Sequence, residues 1–310
     1  MNGKELRIVY MGTPDFAVAP LKRLVEGGYN IAAVVTAPDK PAGRGLKMQE
    51  SAVKRYAAEC GLPVLQPEKL KDPQWLGDFR AMKPDLAIVV AFRMLPEAVW
   101  SIPPEGAFNL HASLLPAYRG AAPVNWAIMN GETKTGVTTF FLNDEIDKGE
   151  IIASREVAIT PDDTAGTLHD KLMETGASLV VETVDMIASG EANPRPQPQN
   201  DGPWPSAPKI FKEDCRLDWS QGARKLYDKI RGLSPYPAAW FELGDTTAKA
   251  LAARYVLAEN HLVPGTMEFA GDELRVACAD GWIYIDRLQA AGKKAMDTAG
   301  FLRGFRPKST

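Results

Sequence analysis

Cysteine and histidine are both scarce, with three of each in 310 residues. Cys60, Cys215 and Cys278 stand far apart, odd in number and in no CxxC or Cys/His spacing, which excludes a disulfide framework and a zinc site and fits a reducing compartment. His111, His169 and His261 are equally dispersed, so no metal is expected. No apolar run reaches the roughly 18 residues that a membrane span requires, and "MNGKELRIVYMG" passes straight into a strand pattern without a signal core. A cytoplasmic protein with no membrane partner is expected. There is no Walker loop and no internal repeat. The first strand-to-helix turn, "MGTPDFA", has Gly12 but not G-x-G-x-x-G, and Pro14 lies where a pyrophosphate would need close backbone approach, so a nicotinamide-dependent dehydrogenase is a poor fit. Charge of one sign is not in large excess either. The net charge of −3 gives no global reason to bind nucleic acid, although 16 Lys/Arg against 13 Asp/Glu from residue 205 onward make the last third the basic part.

What is present is an alternation of two hydrophobic periods. "LRIVYMG", "NIAAVVTA", "LPVLQP" and "PDLAIVVAF" read as buried strands, and "SAVKRYAAECG" and "WLGDFRAMK" as helices between them. "TPDFAVAPLKRLVEGG" reads as a helix capped by Thr13, with Pro14 at its first turn. This order predicts an α/β fold with a doubly wound, mostly parallel sheet, whose ligands sit at the carboxyl ends of the strands. "VNWAIMNGE" continues as a helix, "TGVTTFFL" and "EIIASREVAI" as strands, and "DTAGTLHDKLMETGASLVVETVDMIASG" as a long helix. The stretch "EANPRPQPQNDGPWPSAPK" then carries six prolines and no periodicity. We expect a first domain over residues 1–190, a linker over 191–208 and a second domain over 209–310. Short strand runs in the last part ("AAWFEL", "KALAARYVL", "ELRVACA", "WIYIDRLQ") predict a smaller β-barrel there.

One stretch, "FNLHASLLPAYRGAAP", points to chemistry. In a strand, residues i and i+2 face the same way, so Asn109 and His111 project together into one space near the strand end. "VVAFRML" and "NLHASLLP" can then converge on one cleft. The loop "LNDEIDKGEII" adds Asp144, Glu145 and Asp147. A loop acid beside a histidine can fix the ring, and an asparagine supplies a neutral donor; together they suit a carbonyl that becomes tetrahedral while its oxygen gains negative charge. No compelling nucleophile accompanies them. Ser113 lacks the G-x-S-x-G elbow that exposes such a serine, so direct transfer between two bound substrates is favoured over an acyl-enzyme. The imidazole of His111 is expected to be open to solvent, with one of these loop acids beside it.

These residues resemble a family. "NLHASLLP", "RGAAP", "EIDKG", "MGTPDFA", "PDKPAGRG" and, near the C-terminus, "AGKKAM" are similar to the methionyl-tRNA formyltransferase family over essentially the whole chain. The N-x-H…SLLP…D set is shared among enzymes that use 10-formyltetrahydrofolate, and the "PAGRG" loop and C-terminal domain narrow the resemblance to those acting on tRNA. It implies a formyltransferase-type, Rossmann-like first domain and an oligonucleotide-binding-like (OB-like) barrel. It also implies transfer of a formyl group from 10-formyltetrahydrofolate, as co-substrate, to the α-amine of initiator methionyl-tRNA, with no metal and no obligate protein partner.

By the same resemblance Asn109 and His111 would stabilise the oxyanion, and Asp147 would orient His111 and assist proton removal. Ser113, Leu114, Leu115 and Pro116 would border the folate, opposite Phe92, Arg93, Met94 and Leu95, with Asp144 in the same set. "VAFRMLP" departs from the longer tyrosine-glycine version common in the family, which bears on the pocket wall. Lys40, Arg44 and Lys47 in "APDKPAGRGLKMQ" would meet the acceptor end of tRNA, with Arg44 discriminating through a bidentate contact. Lys209, Lys293 and Lys294, with Lys212, Arg224 and Arg303, would clamp its backbone. Alternatives are an N-formyltransferase acting on an amino sugar nucleotide or other small amine, a hydrolase of 10-formyltetrahydrofolate and a non-enzymatic tRNA-binding protein.

Overall fold

A computed structural model describes residues 2–42, 47–198 and 202–305. The chain divides into two compact units. The first is formed by Met1–Gly120, Gly136–Val157 and His169–Pro205, the second by Ala121–Thr135, Ala158–Leu168 and Ser206–Thr310.

The sheet of the first unit comes from β1 (Ile8–Gly12), β2 (Ile31–Val35), β5 (Val64–Leu65), β6 (Leu86–Val90), β7 (Ala107–His111), β8 (Lys134–Phe141) and β9 (Ile151–Ala158), in the order β5-β2-β1-β6-β7-β8-β9. A separate pair, β3 (Lys40–Ala42) and β4 (Lys47–Gln49), is antiparallel. β5, β2, β1, β6 and β7 run parallel, and β8 joins β7 antiparallel. The expected α/β sheet is therefore present. β1 and β6 are buried along their whole length, and their uninterrupted apolar sequences follow from a sheet covered on both faces.

The helices α1 (Val18–Glu26), α2 (Ala52–Glu59), α3 (Pro73–Ala81) and α4 (Glu97–Trp100) alternate with these strands. The side chains of Ser51 and Asp72 accept hydrogen bonds from the first-turn amides of α2 and α3. α1 differs from the sequence reading. A 3-10 turn over Asp15–Ala17 precedes it, no side chain caps it, and it begins at Val18 rather than after Thr13. Pro20 explains the shift: it lacks an amide hydrogen, and starting at Val18 places it in the first turn, where that hydrogen has no partner to lose.

The helix expected after β9 runs as α6 (Ala165–Ser189). Beyond it, Arg195 forms an antiparallel bridge with Ile151, and Gln197 is only 7% exposed. Among the described residues no helix is long and apolar enough to cross a membrane.

The second unit contains α5 (Pro123–Met129), α7 (Ala223–Leu233), α8 (Thr298–Gly304) and the strands β10 (Ala239–Leu243), β11 (Thr246–Leu257), β12 (Met267–Ala270), β13 (Glu273–Cys278), β14 (Gly281–Ala290) and β15 (Met296–Asp297). The strands form an antiparallel sheet in the order β10-β11-β14-β13-β12, with β15 on β14. Leu243 pairs with Thr246, so Gly244 and Asp245 make a two-residue hairpin turn, and the φ of +60° at Gly244 suits glycine.

α7 went unread in the sequence, because charged residues dominate "ARKLYDKIRGL" and mask its helical spacing. It buries Ala223, Leu226, Ile230 and Leu233 in one cluster with Phe241, Ile283 and Leu288. The same helix holds a buried ion pair, Arg231 Nε to Asp228 Oδ1 at 2.7 Å, and Arg231 also donates to the carbonyl oxygen of Asp163 at 2.9 Å.

Candidate active site

β7 supplies the first two polar groups. Its central position between β6 and β8 buries Phe108 and Leu110, while Asn109 and His111 lie on the opposite side at the expected spacing of two. Asn109 is half-buried, and no hydrogen bond to its side-chain amide is found among the described residues.

His111 is more enclosed than expected, with 7% of its surface exposed. The cause is the chain that follows it, which turns back so that the Tyr118 carbonyl reaches His111 Nε2 at 2.8 Å. A carbonyl oxygen only accepts, so Nε2 carries the proton. Nδ1 is then the nitrogen left for other chemistry. It faces Asp147, whose Oδ2 lies 4.0 Å away.

Asp147 arrives from the loop between β8 and β9. β8 runs antiparallel to β7 and so leaves the site, and the loop must turn back to bring the carboxylate to His111. Asp147 has a φ of +54°, in the left-handed region where Asp and Asn are the better-tolerated non-glycine residues. Two residues later, Gly149 is pressed so closely on the end of β8 that an added Cβ would fall 1.6 Å from the carbonyl oxygen of Phe141. The carboxylate is fixed from the other side, since Gly120 N donates to Asp147 Oδ2 at 3.0 Å. The side chain of Asp147 is 14% exposed, less enclosed than that of His111.

The residues expected around a folate divide by environment. Ser113 is fully buried, and its hydroxyl donates to the Ala117 carbonyl at 2.6 Å, which removes it from the candidates for nucleophile. Thr138, directly across from His111 on β8, pins the segment: its hydroxyl donates to the Ser113 carbonyl at 2.7 Å and accepts from Leu115 N at 3.2 Å. Leu115 is buried, whereas Leu114 and Pro116 are half-buried.

The neighbouring parallel strand β6 delivers residues 91–95 at the same end of the sheet as residues 112–116. There Leu95 is packed into the core with Val9, Val89 and Val99, Met94 is 74% exposed, and Phe92 is half-buried. Arg93 donates to the Glu68 carbonyl at 2.7 Å and to the Pro67 carbonyl, and its guanidinium lies over the Phe92 ring at 5.5 Å. Burial lowers its pKa from the ordinary arginine value. Asp144 is exposed.

Of the basic residues read as tRNA contacts, Lys40 is exposed on β3, Lys47 begins β4, and Arg44 lies outside the described residues. In the second unit Lys209, Lys293 and Lys294 are exposed, and Lys209 sits 5.4 Å from the centre of the Phe211 ring. Arg224 is engaged elsewhere, in an ion pair with Asp228 at 2.9 Å. Among the described residues no group of three or more His, Cys, Asp or Glu is placed to hold a metal ion.

Four site residues escaped sequence reasoning. The Tyr118 carbonyl and Gly120 amide act through the backbone, which leaves no side-chain signal. Thr138 resembles any strand threonine. Gln197 stands in the proline-rich stretch, where its Nε2 donates to the carbonyls of Asp147 at 3.0 Å and Gly149 at 2.8 Å.

Residues 6–184 match the formyl transferase family, and residues 209–306 match the formyl transferase C-terminal domain. A methionyl-tRNA formyltransferase of Bacteroides fragilis is 54% identical over 98% of this chain and 97% of its own length. That of Parabacteroides distasonis is 53% identical over 99% and 98%, and that of Flavobacterium johnsoniae 47% over 97% of each. Among solved structures, HypX from Aquifex aeolicus in complex with tetrahydrofolic acid superposes with a TM-score of 0.66 at 20% identity, over 96% of this chain. The match spans about half of the HypX chain, 47%. An N-formyltransferase from Helicobacter canadensis in complex with folinic acid and dTDP-3-aminofucose superposes with a TM-score of 0.63 at 18% identity, over 90% of this chain and 98% of the other. At those identities the two structures speak for the fold alone.

Proposed function

This chain belongs to the formyl transferase family, and from that premise we propose that it transfers the formyl group of 10-formyltetrahydrofolate to the α-amino group of initiator methionyl-tRNA. The observation that supports this reading most directly is the near-full-length relationship to named methionyl-tRNA formyltransferases at 53% to 54% identity. The amino-sugar alternative rests on distant structural neighbours at 18% to 22% identity. The same reading puts the reaction in the cytoplasm.

In this reading the methionyl amine attacks the formyl carbon, and the carbonyl electron pair moves onto oxygen. The uncommitted amide of Asn109 donates to that oxygen, and His111 supplies a second donor through Nδ1 once that nitrogen is protonated, since Nε2 is committed to Tyr118. The ammonium proton passes to Asp147, directly or through one water, and the tetrahedral centre collapses as N10 leaves and takes up that proton from Asp147 by the same route. No covalent enzyme intermediate is required. Residues 113–116 and 92–95, with Asp144, would border the folate. Lys40, Arg44 and Lys47 would meet the acceptor end, and Lys209, Lys293 and Lys294 the tRNA backbone. The expected domain division, 1–190 and 209–310 joined by 191–208, belongs to the same proposal.

The test supplies 10-formyltetrahydrofolate labelled in the formyl carbon together with charged initiator tRNA, charged elongator tRNA, a dTDP-amino sugar or buffer alone. Label recovered as N-formylmethionine, with preference for the initiator, is the expected result. Label recovered only as free formate or only on the sugar would overturn the reading.

A further inference from the structure

The reaction above needs Asp147 in place, and the loop's own side-chain bonds, Glu145 N to Asn143 Oδ1 at 3.0 Å and Lys148 to Glu145 at 2.9 Å, do not involve the main chain of Asp147. The carboxylate has the Gly120 amide, but the backbone is held in the left-handed region at φ +54° by something else. Gln197 meets that need. It is 7% exposed, and its single amide is used at both ends. Nε2 donates to the carbonyl oxygens on either side of Lys148, those of Asp147 at 3.0 Å and Gly149 at 2.8 Å. Oε1 accepts from Arg119 Nη2 at 2.7 Å and from Nε at 3.2 Å.

Arg119, which holds the other end of the Gln197 amide, is the neighbour of Gly120, whose amide grips the Asp147 carboxylate. Gln197 is itself anchored two residues away, where Arg195 and Ile151 exchange two backbone hydrogen bonds at 2.8 Å and 2.9 Å. The bond to the Gly149 carbonyl is buried and that to the Asp147 carbonyl part-buried, and in the buried one an unmade hydrogen bond is costly and a made one is stiff.

We propose that Gln197 is a positioning residue for Asp147: its amide locks the backbone of residues 147–149 against Arg119, so that the carboxylate stays opposite His111 Nδ1. This inference rests on the formyl-transfer reading above. It predicts that removing the amide leaves both substrates bound and slows the chemical step, because a displacement of about 1 Å at a reacting group costs about a hundredfold in rate.

The experiment begins with wild-type enzyme, whose formylation of methionyl-tRNA tests the function itself; absence of transfer there refutes the function and not the strap. Gln197→Leu and the isosteric Gln197→Glu are then compared under single-turnover conditions, with Kd for each substrate measured separately. The expected result is a loss of about a hundredfold in rate with both Kd values within about threefold of wild type. The decisive arm repeats Gln197→Leu in an Asp147→Asn background. If Gln197 acts through Asp147, the second substitution costs less than about twofold more, whereas an independent structural role makes the two losses multiply. Multiplying losses, or a single variant that keeps wild-type rate, overturn the proposal. If Gln197→Leu does not fold, Gln197→Glu alone carries the same cycle, since it retains the acceptor for Arg119 and loses the donors to residues 147 and 149.

Discussion

Asp147 Oδ2 stands 4.0 Å from Nδ1 of His111, too far for a hydrogen bond between them and close enough for one polar atom, seated about 2.8 Å from each, to touch both. An attacking amine or a bridging water fits that description. The separation thus suits proton transfer through a third group better than a permanent ion pair.

Three substitutions test this constellation. Asn109→Ala removes an oxyanion donor and is expected to raise the barrier by about 3 to 4 kcal/mol. His111→Ala and Asp147→Asn are each expected to lower the single-turnover rate by roughly a hundredfold to ten-thousandfold. Asparagine is the informative choice at 147, because it tolerates the left-handed backbone and can still accept from Gly120. Circular dichroism should show all three folded. Near-normal rates in all three would falsify the assignment.

Ser113 offers a contrasting case. Its hydroxyl is spent on the Ala117 carbonyl in a fully buried position, so Ser113→Ala should destabilise by about 1 to 3 kcal/mol while transfer stays within about tenfold of wild type. Intact-mass measurement during turnover should find no formylated enzyme; a formyl adduct lost in the alanine variant would require a covalent route.

Thr138→Val keeps the shape of the side chain and removes the oxygen that serves both the Ser113 carbonyl and the Leu115 amide. Urea denaturation should report a loss of about 2 to 3 kcal/mol, since two buried groups lose a partner at once. The KM for 10-formyltetrahydrofolate should rise as the segment 113–116 loosens. An unchanged KM would separate Thr138 from the folate wall.

In the second unit, Asp228→Ala strands the guanidinium of Arg231, which is 5% exposed, and should cost about 3 to 5 kcal/mol. Replacing both partners, as Asp228→Leu with Arg231→Met, should cost clearly less than the single change. Equal losses would mean that the Arg231 bond to the Asp163 carbonyl, and not its charge pairing, is what stabilises α7.

The basic residues of the same unit make a prediction about salt. Each phosphate that Lys209, Lys293 or Lys294 neutralises should contribute nearly one unit to the slope of log affinity against log salt. Replacing one of them by alanine should flatten the slope by about one unit for initiator and elongator tRNA alike. A slope unmoved by all three changes would remove them from the interface.

The sequence conveyed the first unit well because its signals are local. β1 and β6 are short apolar runs, and the spacing of Asn109 and His111 in β7 fixes their shared side wherever the strand lies. Partners brought together by folding were harder to read. Asp147 reached the site reading through family resemblance, and its loop has no periodic pattern that could give its direction. Gln197 sits 50 residues further on, in a stretch whose prolines announce irregular chain and nothing about what that chain touches. The enclosure of His111 was missed for a similar reason, since the group that covers it is a backbone carbonyl. α7 shows the opposite failure: a helical spacing was available and its charged residues drew attention away, although two of them, Asp228 and Arg231, are buried as a pair.

The crowding at Gly149 reaches beyond the reaction. With main-chain oxygen where any side chain would have to begin, this position has no freedom to drift, whatever substrate the loop is asked to serve. A randomised library spanning 143–149 should therefore lose its diversity at 149 even under selection for folding alone, and redesign of this loop for a different amine acceptor will have to vary the residues before it.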